Sequence, residues 1–311
     1  MNRRRFFQTL AAGGVGSYLA PLQALAADEL RLVILHTNDT HSRIDPFPMD
    51  GGRNAGMGGI ARRSALVQRI RAAEPNLLLL DSGDIFQGTP YFNFFGGELE
   101  FKAMSAMGYD ASTLGNHDFD NGVPGLVKML PHATFPFVSA NYIVDAGSPL
   151  AGHTKPHLIK QVGRIKVGLF GLGIDFDHLV IGALHEGVTY TDPIVAARQQ
   201  VDVLRQQGCH LIVCLSHLGY RYREDRPSDM TLAAEVPGID LILGGHTHTF
   251  LDQPVTTSHP DGRFTIVNQV GWAGIRLGRI DVVFNRDLQS SRWYGSAYEI
   301  DERLDPQSSW G

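Results

Sequence analysis

Cysteine is scarce in this chain, which carries only Cys209 and Cys214 among 311 residues. Both lie in or beside the apolar stretch HLIVCLSH. On one extended strand they would stand about 16 Å apart and point to opposite faces, well beyond the reach of a disulfide. A disulfide is therefore not expected, and both cysteines are predicted to be buried small apolar residues.

Excess positive charge and long apolar runs are lacking too. The formal net charge is −5, from 27 basic and 32 acidic residues. No basic field therefore indicates nucleic-acid binding, and an anionic substrate would be attracted locally by metals or single arginines. Beyond the N-terminus, no segment approaches the roughly 20 apolar residues of a bilayer span, so stable membrane insertion is not expected. The oligomeric state is left open.

The N-terminus has the features of an export signal. Three arginines, Arg3–Arg5, precede a weakly apolar stretch that ends in the small-x-small pattern Ala24-Leu25-Ala26. RRRFF resembles a twin-arginine signal. Glycines interrupt the apolar stretch, which favours a cleaved signal over a membrane anchor. We predict an export signal over residues 1–26, a single catalytic domain over residues 27–311, and a periplasmic or secreted mature protein.

The rest of the chain alternates strand-like and helix-like patterns. Apolar runs such as LRLVILHT, NLLLL, RIKVGLF, HLIVCLS and DLILGG are typical of buried strands. Helical spacing appears in IARRSALVQRIRAAE, ELEFKAMSAMG and DPIVAARQQVDVLRQQG. The last third alternates like antiparallel strands. This order predicts an α/β layered fold, in which ligands gather beyond the carboxyl ends of the strands.

Potential metal ligands lie just beyond these apolar runs, and we expect their loops to converge on one edge of the sheet. In Asp39-Thr40-His41 and His246-Thr247-His248, extended backbone would place both members of each pair on one side. Asp84 offers a carboxylate, Asn116 an amide oxygen and His217 an imidazole. This mixture suits Mn, Zn or Fe(II), and seven ligands would furnish two metals that share a bridging carboxylate.

Each element alone has a simpler interpretation. An Asp-x-His or His-x-His at a strand end is usually a hydrogen-bonded loop, and SGD is a common turn. Five such elements with complementary ligand types favour a site. The other histidines are interpreted as ordinary hydrogen-bonded or core residues: His36, His132, His153, His157, His178, His185, His210 and His259.

The motifs HTNDTH, DSGDIFQGTP, LGNHDFD, SHLG and GGHTH, in this order, resemble those of the calcineurin-like metallophosphoesterases, specifically the catalytic domain of the 5′-nucleotidase branch. The resemblance runs from Leu30 to Phe284. It implies a four-layer α/β/β/α fold, with two facing mixed sheets flanked by helices. It also implies a dinuclear centre that holds two divalent metal ions, either Mn, Zn or Fe.

The resemblance implies a role for each motif residue. The ligands of the first metal would be Asp39, His41, Asp84 and His248. The ligands of the second would be Asp84, Asn116, His217 and His246. His117 would be the catalytic histidine, with Asp120 as its orienting carboxylate. Asp118 is assigned to local hydrogen bonding or to support of the ligands.

The implied activity is that of an exported two-metal hydrolase, in which a metal-bound hydroxide attacks a phosphate monoester and His117 stabilises charge or protonates the leaving group. A small phosphorylated substrate is expected, with nucleoside 5′-monophosphates as candidates. Two alternatives stay open: a phosphodiesterase or sulfate-type esterase on the same site, and a non-catalytic periplasmic metal- or ligand-binding protein. The His117–Asp120 pair argues against the last, since metal binding needs neither residue.

The sequence also departs from the family. Full-length 5′-nucleotidases carry a second domain that binds the base and ribose. That domain is not expected within these 311 residues, so nucleotide preference is not implied by the resemblance. The aromatic residues of Tyr91–Phe95 could stack on a base, although core packing is favoured. Arg53 could reach a phosphate, although the favoured interpretation is that its side chain is exposed to solvent and contacts no ligand. A partner chain could also complete the pocket.

Overall fold

The structure is a computed structural model that describes residues 29–289 and 291–305. The predicted export signal, residues 1–26, lies outside the described residues. Within the part that is described, no helix has both the length and the apolar character required to cross a membrane.

Fifteen strands occur in the described residues. They are β1 Leu30–Thr37, β2 Leu77–Asp81, β3 Ala111–Ser112, β4 Phe137–Val138, β5 Tyr142–Val144, β6 Thr154–Lys155, β7 His157–Val162, β8 Ile165–Leu172, β9 Val188–Tyr190, β10 Leu211–Ser216, β11 Leu241–Gly244, β12 Val255–Ser258, β13 Phe264–Asn268, β14 Arg276–Phe284 and β15 Ser291–Glu299.

Six α-helices lie between these strands in the described part of the chain: α1 Ile60–Ala73, α2 Pro90–Phe95, α3 Glu98–Met107, α4 Gly122–Met129, α5 Pro193–Gln206 and α6 Asp229–Glu235. Short 3₁₀ turns cover His117–Phe119, Leu130–His132, Gly182–Leu184 and Glu302–Leu304. Helix α5 shows how the sequence sets a helix start. The Asp192 side chain accepts hydrogen bonds from two backbone amides of the first turn, and Pro193 occupies the first helical position.

Two large mixed sheets form the centre of the molecule. The first has the strand order β15-β14-β1-β2-β3-β4-β6, and the second has the order β12-β13-β11-β10-β8-β7. A small third sheet pairs β5 with β9. The antiparallel prediction for the last third is right for β14 and β15. It is right in part for β13, which pairs antiparallel with β12 on one side and parallel with β11 on the other, where it extends the buried parallel centre of the second sheet.

The two sheets pack face to face, and helices cover their outer sides. In β1, Leu32 and Ile34 point to the second sheet, whereas Val33 and Leu35 point to the helices. Both faces of the strand are thus apolar, which explains its continuous apolar run. Helices α1, α3 and α4 pack on the first sheet, and α5 and α6 pack on the second. The predicted four-layer α/β/β/α fold is confirmed.

Both cysteines are buried and free, as predicted. The prediction that they share a strand is wrong, because β10 begins at Leu211 and leaves Cys209 in the preceding loop.

Candidate metal centre

The loops that carry the predicted ligands meet at one end of the two facing sheets. Three of them follow β1, β2 and β3 of the first sheet, and two follow β10 and β11 of the second. The expectation of a single sheet edge is therefore wrong. Direct contacts join the two sides: the Ser82 hydroxyl donates to the Leu243 carbonyl at 2.7 Å, and the His246 amide donates to the Asp39 carboxylate at 3.0 Å.

The ligand loops have left-handed backbone, not the extended backbone that the sequence suggested. The φ angles are 49° at Asp39, 46° at His41, 54° at Asp84, 68° at His246 and 52° at His248. Residues other than glycine rarely adopt this conformation, and it persists only where the surroundings impose it. The prediction of a shared side is wrong for His246 and His248, which enter different groups of potential ligands, whereas Asp39 and His41 enter the same group.

The potential ligands form two neighbouring groups. We call Asp39, His41 and His248 the outer group, and Asp84, His217 and His246 the inner group. Within each group the ligand atoms lie within 4.8 Å of one another. In the outer group the Nε2 atoms of His41 and His248 are 2.9 Å apart. In the inner group His217 Nε2 lies 3.1 Å from Asp84 Oδ2.

Asp84 connects the two groups. Its Oδ2 atom lies 3.9 Å from His41 Nε2 of the outer group as well as close to His217. Asn116 supplies an amide oxygen beside the inner group, since its Oδ1 atom lies 2.9 Å from His246 Nδ1. All seven predicted ligands are therefore brought together, with Asp84 in the position that a bridging carboxylate would need.

The donor set fits divalent cations. His217 Nδ1 lies 2.6 Å from the Ser82 carbonyl, which can only accept, so Nδ1 carries a proton and Nε2 is the ring nitrogen left for a cation or a second proton. That Nε2 atom is buried without a hydrogen-bond partner among the described residues and faces the Asp84 carboxylate. A lone pair opposite a carboxylate is repulsive unless a cation or a proton lies between them. His41 has a similar Nδ1 contact, 3.0 Å from the Phe86 carbonyl, so its Nε2 atom is the one that points to the other ligands.

The electrostatics of the inner group indicate the same need for positive charge. Burial would lower the pKa of His217, but the charge of Asp84 outweighs it and raises the pKa to about 10. Burial opposes ionisation of Asp84, but His217 holds the pKa of that carboxyl below its usual range. Burial, aided by the charge of His217, lowers the pKa of His246 to about 4, so His246 is a neutral imidazole suited to metal binding.

Asp118 joins the loop of Asp84 to the loop of Asn116. Its carboxylate accepts hydrogen bonds from the amides of Gly115 at 2.8 Å, Asp84 at 3.1 Å and Ile85 at 3.0 Å. Burial and then the charge of Asp84 raise its pKa to about 7. The local hydrogen bonding predicted for this residue is present, and it spans two ligand loops.

The same two loops touch at glycines. A Cβ atom at Gly115 would lie 2.2 Å from Asp84 Oδ1, and one at Gly83 would lie 2.6 Å from the Gly115 amide. Gly83 also has a φ of 85°. A side chain at either position would therefore separate the loops that carry Asp84 and Asn116.

His117 lies beside both groups and belongs to neither. Its Nδ1 atom is 3.1 Å from both oxygens of Asp120, and its ring centroid is 5.4 Å from that of His41. Burial opposes protonation, but the hydrogen bond to Asp120 and the charge of Asp84 outweigh it and raise the pKa of His117. With Nδ1 held by Asp120, the other ring nitrogen is the one available to a ligand.

Two residues near the centre were not singled out from the sequence. Trp272 stacks on His248, with ring centroids 5.6 Å apart and planes at 7°. The Arg226 guanidinium lies 4.2 Å above the Tyr222 ring and makes no other hydrogen bond or ion pair with the described residues. Its loop packs on the His246 loop, since the Tyr220 amide donates to the Thr247 hydroxyl. Neither residue belongs to a ligand motif, and the arginine-rich stretch GYRYREDRP was the sole signal for Arg226.

The aromatic segment after Asp84 only partly follows its prediction. Core packing is right for Phe92, whose ring lies 5.4 Å from that of Phe86. It is wrong for Phe94 and Phe95, which are 81% and 46% exposed, because the six-residue helix α2 turns one face to the core. Arg53 is exposed, as favoured, and lines a cavity beside His248.

Comparison with known proteins supports the class of protein that this fold and these ligand groups define. The family description "Calcineurin-like phosphoesterase" matches residues 32–250. The chain belongs to the calcineurin-like phosphoesterases.

Within that family, the chain is similar to 5′-nucleotidases. It is 35% identical to the snake venom 5′-nucleotidase of Gloydius brevicauda, an alignment that covers 84% of this chain and 47% of the relative. It is 38% identical to the 5′-nucleotidase of Homo sapiens, with 78% and 42% covered. The structure of a 5′-nucleotidase precursor from Thermus thermophilus has a TM-score of 0.81 and 33% identity, over 89% of this chain and 56% of the other. The chain spans about half the length of the curated relatives that it matches.

Proposed function

We propose that the protein hydrolyses phosphate monoesters, with nucleoside 5′-monophosphates as the substrate class. The observation that carries this proposal is the meeting of two ligand groups at Asp84, with His117 and Asp120 beside both groups and outside them. Similarity to 5′-nucleotidases supports the choice of substrate class.

The seven ligands divide between two divalent ions as the family pattern implies. Asp39, His41 and His248 would hold one ion, and Asn116, His217 and His246 the other, with Asp84 contacting both. Bound there, such ions would activate a water molecule and neutralise the negative charge of the phosphate. Mn, Zn and Fe all suit this mixture of carboxylate, amide and imidazole.

His117 supplies the proton. Asp120 fixes the ring through Nδ1 and helps to keep it cationic, which leaves Nε2–H to donate to the leaving-group oxygen. Arg226, held above Tyr222 beside the His246 loop, is positioned to contact phosphate oxygens. Its guanidinium is free for that contact among the described residues, and a planar guanidinium binds phosphate with two parallel hydrogen bonds.

The chain acts outside the cytoplasm in this proposal. Residues 1–26 would direct export by a twin-arginine route, and residues 27–311 would form one catalytic domain. Fusing the first 30 residues to a reporter that requires folded export tests the signal. Export that persists after Arg3, Arg4 and Arg5 are all changed to Lys would contradict the twin-arginine assignment.

A hydrolysis screen tests the activity. The protein is supplied with Mn, Zn or Fe(II) and offered AMP, cyclic AMP, ribose 5-phosphate and a thiosulfonate conjugate. Hydrolysis of the two monoesters supports the proposal. Preference for cyclic AMP or for the thiosulfonate would replace it with the phosphodiesterase or the sulfate-type alternative. Tight metal binding without hydrolysis of any ester would support the remaining alternative, a non-catalytic metal- or ligand-binding protein.

A further inference from the structure

An open cavity of about 790 Å³ lies directly beside the outer group. His248, itself a proposed metal ligand, forms part of its wall, so the cavity begins where the phosphate would be bound. Its other walls include Trp272, Phe250, Arg53 and Arg276. This volume is within the usual range of small-molecule sites and exceeds what a phosphate alone would need.

Two aromatic residues of the cavity are held in fixed orientations. Trp272 lies flat on the His248 ring and meets Phe47 edge-on, with centroids 5.7 Å apart. Phe250 packs over Gly271, where a Cβ atom would lie 2.1 Å from its ring. Yet Phe250 remains 37% exposed, and its exposed part faces the cavity. A fixed, partly exposed ring in a cavity wall is a surface on which a flat apolar group can stack.

The two arginines of the wall differ in whether they form ion pairs with other residues. Arg276 pairs with Asp252 at 3.1 Å and Glu299 at 3.7 Å, and its guanidinium lies 5.2 Å from the Phe250 ring centroid. These contacts fix the rim and neutralise its charge. Arg53 makes no hydrogen bond or ion pair with another described residue, so its cation is available to a ligand. The wall therefore joins an aromatic surface to one free donor, a combination that suits the π-face and ring acceptors of a nucleobase.

We propose that this cavity binds the base of the substrate, with the base stacked on Phe250 against the edge of Trp272 and within reach of Arg53. The inference rests on the proposed function, because His248 would then contact both ends of the site: the metal that holds the phosphate and the cavity that holds the base. Specificity for a nucleotide would come from residues of this part of the chain, after β11 and β13.

The test compares AMP with ribose 5-phosphate, which lacks the base and keeps the phosphate ester. Phe250→Ala is expected to raise KM for AMP about 5- to 100-fold, the range for loss of one base–aromatic stack, and to leave KM and kcat for ribose 5-phosphate unchanged. Phe250→Leu, which keeps an apolar side chain to pack over Gly271, should behave in the same way. Phe94→Ala, an exposed aromatic residue outside the cavity, is the matched control and should change neither substrate.

Equal changes for both substrates in Phe250→Ala and Phe250→Leu, or no change for either, would overturn the inference. So would a wild-type enzyme that hydrolyses AMP and ribose 5-phosphate equally well.

A binding experiment separates this inference from the proposed activity. Adenosine, which has no phosphate, is titrated while tryptophan fluorescence is followed. Saturable quenching that is weakened by Phe250→Ala and abolished by Trp272→Phe supports the base site even if no ester is hydrolysed. Absence of quenching in the wild-type protein, or quenching that persists in Trp272→Phe, would contradict it.

Discussion

The inner and outer ligand groups are neighbours of similar composition but differ in their exposure to solvent. In the inner group, the side chains of Asp84 and His217 are 2% and 0% exposed. In the outer group, the side chain of His248 is 39% exposed, stacks on Trp272 and borders a cavity. Each group has two buried residues, so the difference lies in the third: His246 is half-buried, whereas His248 is exposed and borders the cavity.

This difference has an electrostatic consequence. Charges in a buried, water-poor position interact more strongly than charges near solvent. The inner group also has its imidazoles fixed, since His217 is held by the Ser82 carbonyl and His246 contacts Asn116. We therefore expect the inner group to bind its cation more tightly, and the outer group to exchange its cation more readily.

Changing Asp84, which connects the two ligand groups, should lower activity more than any other substitution considered below. Asp84→Asn keeps an oxygen for the His117 amide and removes the charge that both groups share. We expect kcat/KM to fall at least about 10³-fold, because both proposed ions lose a ligand. Asp177→Asn, at an exposed carboxylate, is the control and should keep both activity and metal content at the wild-type level. Metal analysis together with steady-state kinetics checks both variants, and full activity in Asp84→Asn would refute the bridging role.

His117→Ala tests whether His117 acts only in catalysis and takes no part in metal binding. Loss of its proton should lower kcat about 10²- to 10⁴-fold, the usual range for a general acid. Both metals should remain bound, since His117 lies in neither ligand group. Metal analysis of the purified variant is the measurement. A variant that lost one metal would show that His117 is itself a ligand.

Asp118→Asn probes the support that the inner group receives. The amide side chain can accept fewer of the hydrogen bonds that Asp118 receives from the two ligand loops. Metal affinity is expected to fall about 10- to 100-fold, as for other residues that orient ligands. The loss of affinity should be larger for the more tightly bound ion. Competition with a chelator measures the affinity of each ion. Equal weakening of both ions would show that Asp118 does not act on the inner group in particular.

Asp120→Asn should have the smallest effect and should appear chiefly in the pH profile. The hydrogen bond to Asp120 raises the pKa of His117, so in the wild-type protein the cation persists further as pH rises. Without that carboxylate the pKa falls, and His117 loses its proton at lower pH. The alkaline limb of kcat should therefore move toward neutral pH, while activity at acidic pH changes by less than about tenfold. An alkaline limb that stays in place would assign the limb to another group.

The sequence was sufficient to single out the residues that the structure brings together, and their division between two groups was implied by the family resemblance, not by spacing. The ligand motifs are short and lie beyond apolar runs, so Asp39, Asp84 and His217 could be found from spacing and chemistry. The division of His246 and His248 between two groups could not be derived from spacing, because it depends on left-handed backbone that contacts between two sheets impose.

The surroundings of the centre were harder to predict for the same reason. Asp118 contacts amides more than 30 residues away, and Trp272 meets His248 across two loops. The exposure of Phe94 depends on which face of a short helix turns outward. These features follow from long-range packing, which a local pattern of residue types does not contain.

The most direct test of two unequal groups is a metal titration of the metal-free protein with Mn, compared with His217→Ala and His248→Ala. The wild-type protein should bind two equivalents, one more tightly than the other. His217→Ala should lose the tighter equivalent, and His248→Ala should lose the weaker one. A single equivalent in the wild-type protein, or the same loss in both variants, would contradict the division into an inner and an outer site.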